Sequence, residues 1–99
     1  MTEYLIVTRH AGAVEWLRLQ GITGEVVSHA TAENVSGRFV IGALPLHLAS
    51  LTASITTIDL PGLSAEQRGQ DLTPEQMDAA GAHLTTYKVA KEPEERYHV

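Results

Sequence analysis

The stretch Tyr4–Leu17, YLIVTRHAGAVEWL, decides the fold. Tyr4 to Thr8 is a short, continuous apolar run with a β-branched pair, the pattern of a central strand covered on both faces. After Gly12 releases the turn, Ala13, Val14, Leu17 and an edge of Trp16 recur at helical spacing, Glu15, Arg18 and Gln20 fall elsewhere, and Gly21 stops the helix. A buried strand that runs straight into an amphipathic helix is how an α/β chain opens. Thr8, Arg9 and His10 sit at the junction.

The rest of the chain continues the alternation. EVVSH (25–29) reads as a second strand, followed by a polar connection with a turn signal at Ser36 and Gly37. Phe39–Leu44 reads as a third strand. Pro45 suits a first helical turn, where its missing N–H is not needed, so a second helix is expected from Pro45 to about Ala53. Ile55–Leu60 reads as a fourth strand closed by Pro61 and Gly62. Thr73, Pro74 and Gln76 supply a cap, a first-turn proline and a capping-box partner for a third helix. Met77, Ala80 and Gly81, Leu84 and Tyr87 then recur at three- and four-residue intervals as its core stripe. The expected architecture is a single domain over residues 1–99, a three-layer Rossmann-like α/β fold with a mainly parallel four-stranded sheet and a loose polar tail from about residue 90.

Composition sets outer bounds. The chain has 99 residues, 43% hydrophobic and 19% charged, the mix of a globular domain rather than a disordered one. The absence of Cys excludes disulfides, thiolate chemistry and Cys-based zinc sites, and a cytoplasmic location is the simplest home. The N-terminus carries Glu3 and no basic segment before its apolar run, so it does not read as a secretion signal. Residues 39–58 are uncharged and long enough to span a bilayer, but Pro45, His47 and repeated Ser and Thr residues argue for buried elements instead. A net charge of −5 argues against a broad basic face for long nucleic acid. An anionic ligand would need cations gathered locally by the fold.

In a parallel sheet, ligands bind outside the carboxyl ends of the strands. Three junctions are expected there: TRHAG, GALPLH and DLPG. At the first, Arg9 offers a planar fork to phosphate oxygens and His10 a proton carrier near neutral pH; the alternatives are an Arg9–Glu15 salt bridge and a surface histidine. At the second, Gly42, Leu44 and Pro45 lead into the expected helix start that would bind an anion, with His47 in its first turn as a second proton carrier or merely a carbonyl-bonded helix residue. Asp59 is a candidate carboxylate or a loop cap, and Arg68 a lid residue or a solvated arginine. His10 and His47 lack a third ligand at diagnostic spacing, so no metal site is expected, and no cofactor motif is present. Trp16 is expected in the core or an interface.

YLIVTRHAGAVEWLRLQGI, VIGALPLHLA and LPGLSAEQRGQDLTPEQMDAAGAHLTTYKV together resemble a family of small CRISPR-associated accessory proteins found beside type III systems. The likeness covers Tyr4 to about Val89. Members of that family resemble ring nucleases. The resemblance implies a homodimer that cuts cyclic tetra-adenylate without a metal, through attack of a ribose 2′-hydroxyl on the adjacent phosphate, and no membrane partner. On that reading Arg9, His10 and His47 are the candidate catalytic residues, and Thr8, Gly42, Leu44, Pro45 and Arg68 the candidate ligand-binding ones. A protein that binds the same ring without cutting it is the alternative.

Overall fold

A computed structural model describes residues 3–93; the expected loose tail, with Arg96 and His98, falls largely outside them. The elements are β1 (Tyr4–Val7), α1 (Ala11–Leu19), β2 (Gly24–Val27), α2 (Ala32–Val35), β3 (Phe39–Gly42), α3 (Leu46–Ala49), β4 (Ser54–Asp59), a 3₁₀ turn (Ala65–Gln67), α4 (Pro74–Ala79) and β5 (His83–Tyr87). They build a five-stranded sheet in the order β2-β1-β3-β4-β5. β1 to β4 are parallel, and β5 pairs antiparallel with β4.

The direction of each crossover explains where the helices lie. From β1 the chain steps outward to β2 and then returns past β1 to β3 and β4, so right-handed connections must place α1 on one face and α2 and α3 on the other. The core divides accordingly. Ile6 and Ile41 pack with Trp16 and Leu17 of α1 and Met77 of α4, whereas Leu5, Val40 and Ile55 pack with Val35 of α2 and Ala49 of α3. Leu5 and Ile6 are both almost completely buried, on opposite faces, which is why β1 reads as an unbroken apolar run.

Two expectations need correction. The sheet has five strands rather than four, because the stripe that begins in α4 does not stay helical. Gly81 adopts φ +79°, and the amides of Gly81 and Ala82 bond back to Asp78 and Met77, which closes the helix. His83–Tyr87 then pairs with β4, with Leu84 facing the same core cluster as Met77. Leu84 satisfies both the seven-residue helical interval and a two-residue strand alternation, so spacing alone could not separate them. The second correction is that the helix expected over Pro45–Ala53 is a single turn, with Pro45 as its N-cap. Ser50 and Thr52 donate their hydroxyls to the carbonyls of His47 and Ala49, offering the backbone an alternative to further helix. The polar connection after β2 also contains α2, capped reciprocally by Thr31 and Asn34.

Candidate functional site

Because the chain leaves β1 in one direction and returns in the other, the connections at the carboxyl ends of β1 and β3 diverge. In a sheet of this strand order, that divergence is where a ligand crevice opens. A cavity of about 380 Å³ lies there. Its floor is apolar, from Ile6, Ile41, Ile58 and Leu17, and its polar groups come from Thr8, Arg9, His10, Ser28 and Thr57. An apolar floor with a few converging polar groups is the usual character of a small-ligand site.

Gly42 sits in this crevice for a steric reason. Its φ is +148°, and a Cβ there would stand 2.4 Å from the carbonyl oxygen of Val7 and 3.2 Å from the Val7 side chain. β1 and β3 can approach this closely at their ends only without a side chain at position 42.

Arg9 and His10 take different partners from those expected. Glu15 is engaged by Arg18, through Nε at 2.9 Å and through Nη2, and this pairing holds the Glu15 carboxyl below its usual range. Among the described residues no carboxylate pairs with Arg9, whose Nη2 lies 3.4 Å from Nδ1 of His29. The guanidinium is thus available to an anion. His10 is the N-cap of α1, its backbone N–H donating to Thr8 Oγ1 at 3.1 Å. Its ring Nδ1 hydrogen-bonds Oδ1 of Asp71, which arrives on the connection ahead of α4. A carboxylate can only accept, so Nδ1 carries a proton, which leaves Nε2 as the ring nitrogen that could act as a base. The first turn of α1 contains no acid, so its free N–H groups keep their positive character beside the two side chains.

On the opposite wall, Thr57 donates to Asp59 Oδ1 at 2.9 Å, and Thr85 of β5 donates to Oδ2. These bonds, with Thr85 first and Thr57 second, hold the Asp59 carboxyl below the usual range, and His83 Nε2 stands 3.5 Å away. Asp59 is therefore a bonded strand-end carboxylate beside the crevice rather than a residue lining it.

The crevice unites Thr8, Arg9, His10 and Gly42. It does not include the other sequence candidates. Leu44 packs into the core cluster beneath α2 and α3, and Pro45 caps a helix of one turn, too short for the dipole expected of it. His47 is exposed and lines a separate shallow pocket with Ser50, Val89 and Lys91. Arg68 is exposed at the end of the 3₁₀ turn. Residues that sequence reasoning missed are Asp71, Ser28 and Thr57; a signal existed only for Ser28, at the carboxyl end of the second strand. Among the described residues no group of three or more His, Asp or Glu side chains could hold a metal ion, and no helix is long and apolar enough to cross a membrane.

The model of the family described as "Putative CRISPR-associated protein (Cas_VVA1548)" matches residues 5–90. No curated protein and no solved structure matches the chain significantly.

Proposed function

The chain belongs to this CRISPR-associated family, and from that premise we propose that it is a ring nuclease that degrades cyclic tetra-adenylate, the second messenger of type III systems. The single observation that carries the chemistry is the pairing of His10 with Asp71 at the rim of the crevice, beside an Arg9 that has no carboxylate partner among the described residues.

In the proposed reaction His10 Nε2 takes the proton of a ribose 2′-hydroxyl as that oxygen attacks the adjacent phosphorus. The P–O2′ bond forms, the P–O5′ bond breaks, and the departing O5′ receives a proton from the imidazolium or from water. A 2′,3′-cyclic phosphate remains on one side and a 5′-hydroxyl on the other. Asp71 holds the imidazole in the required tautomer and stabilises its charged form, as a carboxylate does for a catalytic histidine elsewhere. Arg9 and the free amides of α1 offset the charge that develops on the phosphorane oxygens. A homodimer on a Rossmann-like scaffold would set two such crevices against one ring, so that two cuts yield linear di-adenylates. The acidic net charge is compatible with this, since each copy needs only one local cluster of donors.

The test is to incubate the purified protein with radiolabelled cyclic tetra-adenylate in EDTA and to follow products in time. Linear di-adenylate is expected. Arg9→Ala and His10→Ala should each slow its appearance by about 10²–10⁴-fold. Retention of the intact ring over many hours would make the protein a binder rather than an enzyme, and parental rates in both variants would place the chemistry elsewhere.

A further inference from the structure

A second cavity, of about 190 Å³, adjoins the crevice, and His10 lines both. Its walls are hydrophobic: Leu60 and Leu63 from the segment after β4, with Leu72 and Met77, whose side chains belong to the buried core. Besides His10, its polar lining residues are Gln67 and Gln70. It is smaller than the roughly 300–1,000 Å³ that accommodates a drug-sized molecule, so it suits a single ring system.

The two carboxamides are not equivalent. Gln67 Oε1 already accepts from Ser64, through the backbone N–H and the hydroxyl, so that only its NH₂ remains to be offered. Gln70 retains both a donor and an acceptor, the pairing by which a Gln side chain reads the N6 and N7 edge of adenine. Apolar walls against flat faces, with an amide fork at the edge, are what a purine requires. Among the described residues no Asp, Glu, Lys or Arg lines this space, so apart from the shared His10 it offers no charge to a phosphate.

We propose that this cavity is the base pocket of the site, taking one adenine of the ligand while the neighbouring phosphate and ribose lie in the crevice on the other side of His10. The inference rests on the ring-nuclease reading for the identity of the ligand. It gives His10 a second consequence of position: a base held behind the imidazole fixes which ribose meets Nε2.

The experiment is calorimetric binding of 2′-deoxy cyclic tetra-adenylate, which lacks the attacking hydroxyl and so stays intact, to the full chain. Gln70→Leu removes the amide fork at similar volume, and Leu63→Trp fills the cavity from a partly buried position. Each should weaken binding about tenfold or more, the scale of one good bidentate base contact. The parent should likewise prefer the adenine ring to the corresponding cyclic tetra-inosinate, in which a carbonyl replaces the amine. Parental affinity in either variant, with each variant melting as the parent does, would overturn the base pocket and leave the ring-nuclease reading standing. Failure of the parent itself to bind the ring would overturn both.

Discussion

The side chains of His10 and Asp71 meet through Nδ1 and Oδ1 although 61 residues separate them in the chain. One caps the helix that follows the first strand and the other precedes the last helix, so the pair exists only in the folded chain. That relationship gives the helix-capping histidine a protonated Nδ1 and leaves its Nε2 free.

For the proposed ring cleavage, Asp71→Asn should therefore lower kcat with little change in KM. In a Ser-His-Asp triad the same change costs up to about 10⁴-fold in kcat; the amide can present either a donor or an acceptor to Nδ1, so the tautomer is no longer imposed. Steady-state kinetics across pH would separate this from a structural effect. A merely structural role would leave the shape of the pH profile unchanged and reduce the melting temperature, whereas the exposed position of Asp71 predicts a parental melt.

Gly42→Ala should damage fold and site together. The backbone at φ +148° disfavours any side chain, and the added Cβ would meet the Val7 carbonyl oxygen at 2.4 Å. Strained backbone of this kind costs about 1–3 kcal/mol before the clash is counted. In a domain of this size each kcal/mol moves Tm by roughly 4–8 °C. A drop of that order in thermal melts, with the proposed ring cleavage impaired even well below the new Tm, is expected; an unchanged melt would mean that β1 and β3 separate easily at their carboxyl ends.

Much of the fold was legible because its signals are local. Apolar runs marked β1 and β3, helical spacing after Gly12 marked α1, and Thr73, Pro74 and Gln76 marked the start of α4, where the Thr73–Gln76 capping box forms as read. The misreading of β5 arose because a residue can satisfy two periods at once. Leu84 fits a helix beginning at Met77 and a strand beside β4, and only Gly81 and the unpaired edge of β4 decide between them. The site divides in the same way. Thr8, Arg9, His10 and Gly42 were legible because a strand end identifies its own neighbours. Asp71 and Thr57 were not, because their roles depend on which connection returns to which strand.

Asp59 predicts a pH dependence of stability. Hydrogen bonds from Thr85 and Thr57, aided by His83, hold its carboxyl below the usual range in the fold. A group whose folded pKa lies below its unfolded value stabilises the fold above the ordinary Asp range, near about 3.9, and loses that contribution as pH falls through the folded value. Melts of the parent and Asp59→Asn should thus differ at neutral pH and converge as the pH is taken below that range. With 37% of the side chain in solvent the difference is modest, and only the small part owed to His83 should weaken at high salt. A gap that widened on acidification would contradict the assignment.

Trp16 offers the most direct reading of the helical face that supports the site. Its side chain is 3% exposed, and its indole Nε1–H donates to Asp78 Oδ1 at 2.8 Å, joining α1 to α4. The same two helices present His10 and the connection carrying Asp71, so this bond steadies the approach of those residues from behind. Asp78→Ala leaves a buried indole N–H without its acceptor, at a cost of about 1.5–3 kcal/mol for a bond to a charged group, whereas Asp78→Asn keeps an acceptor within reach. Since Trp16 is the only Trp, its fluorescence reports this interface alone. Denaturant melts followed by Trp emission should show Asp78→Ala destabilised by that amount and Asp78→Asn by less. Equal loss in the two variants would mean that the charge of Asp78, rather than its acceptor oxygen, holds the helices together.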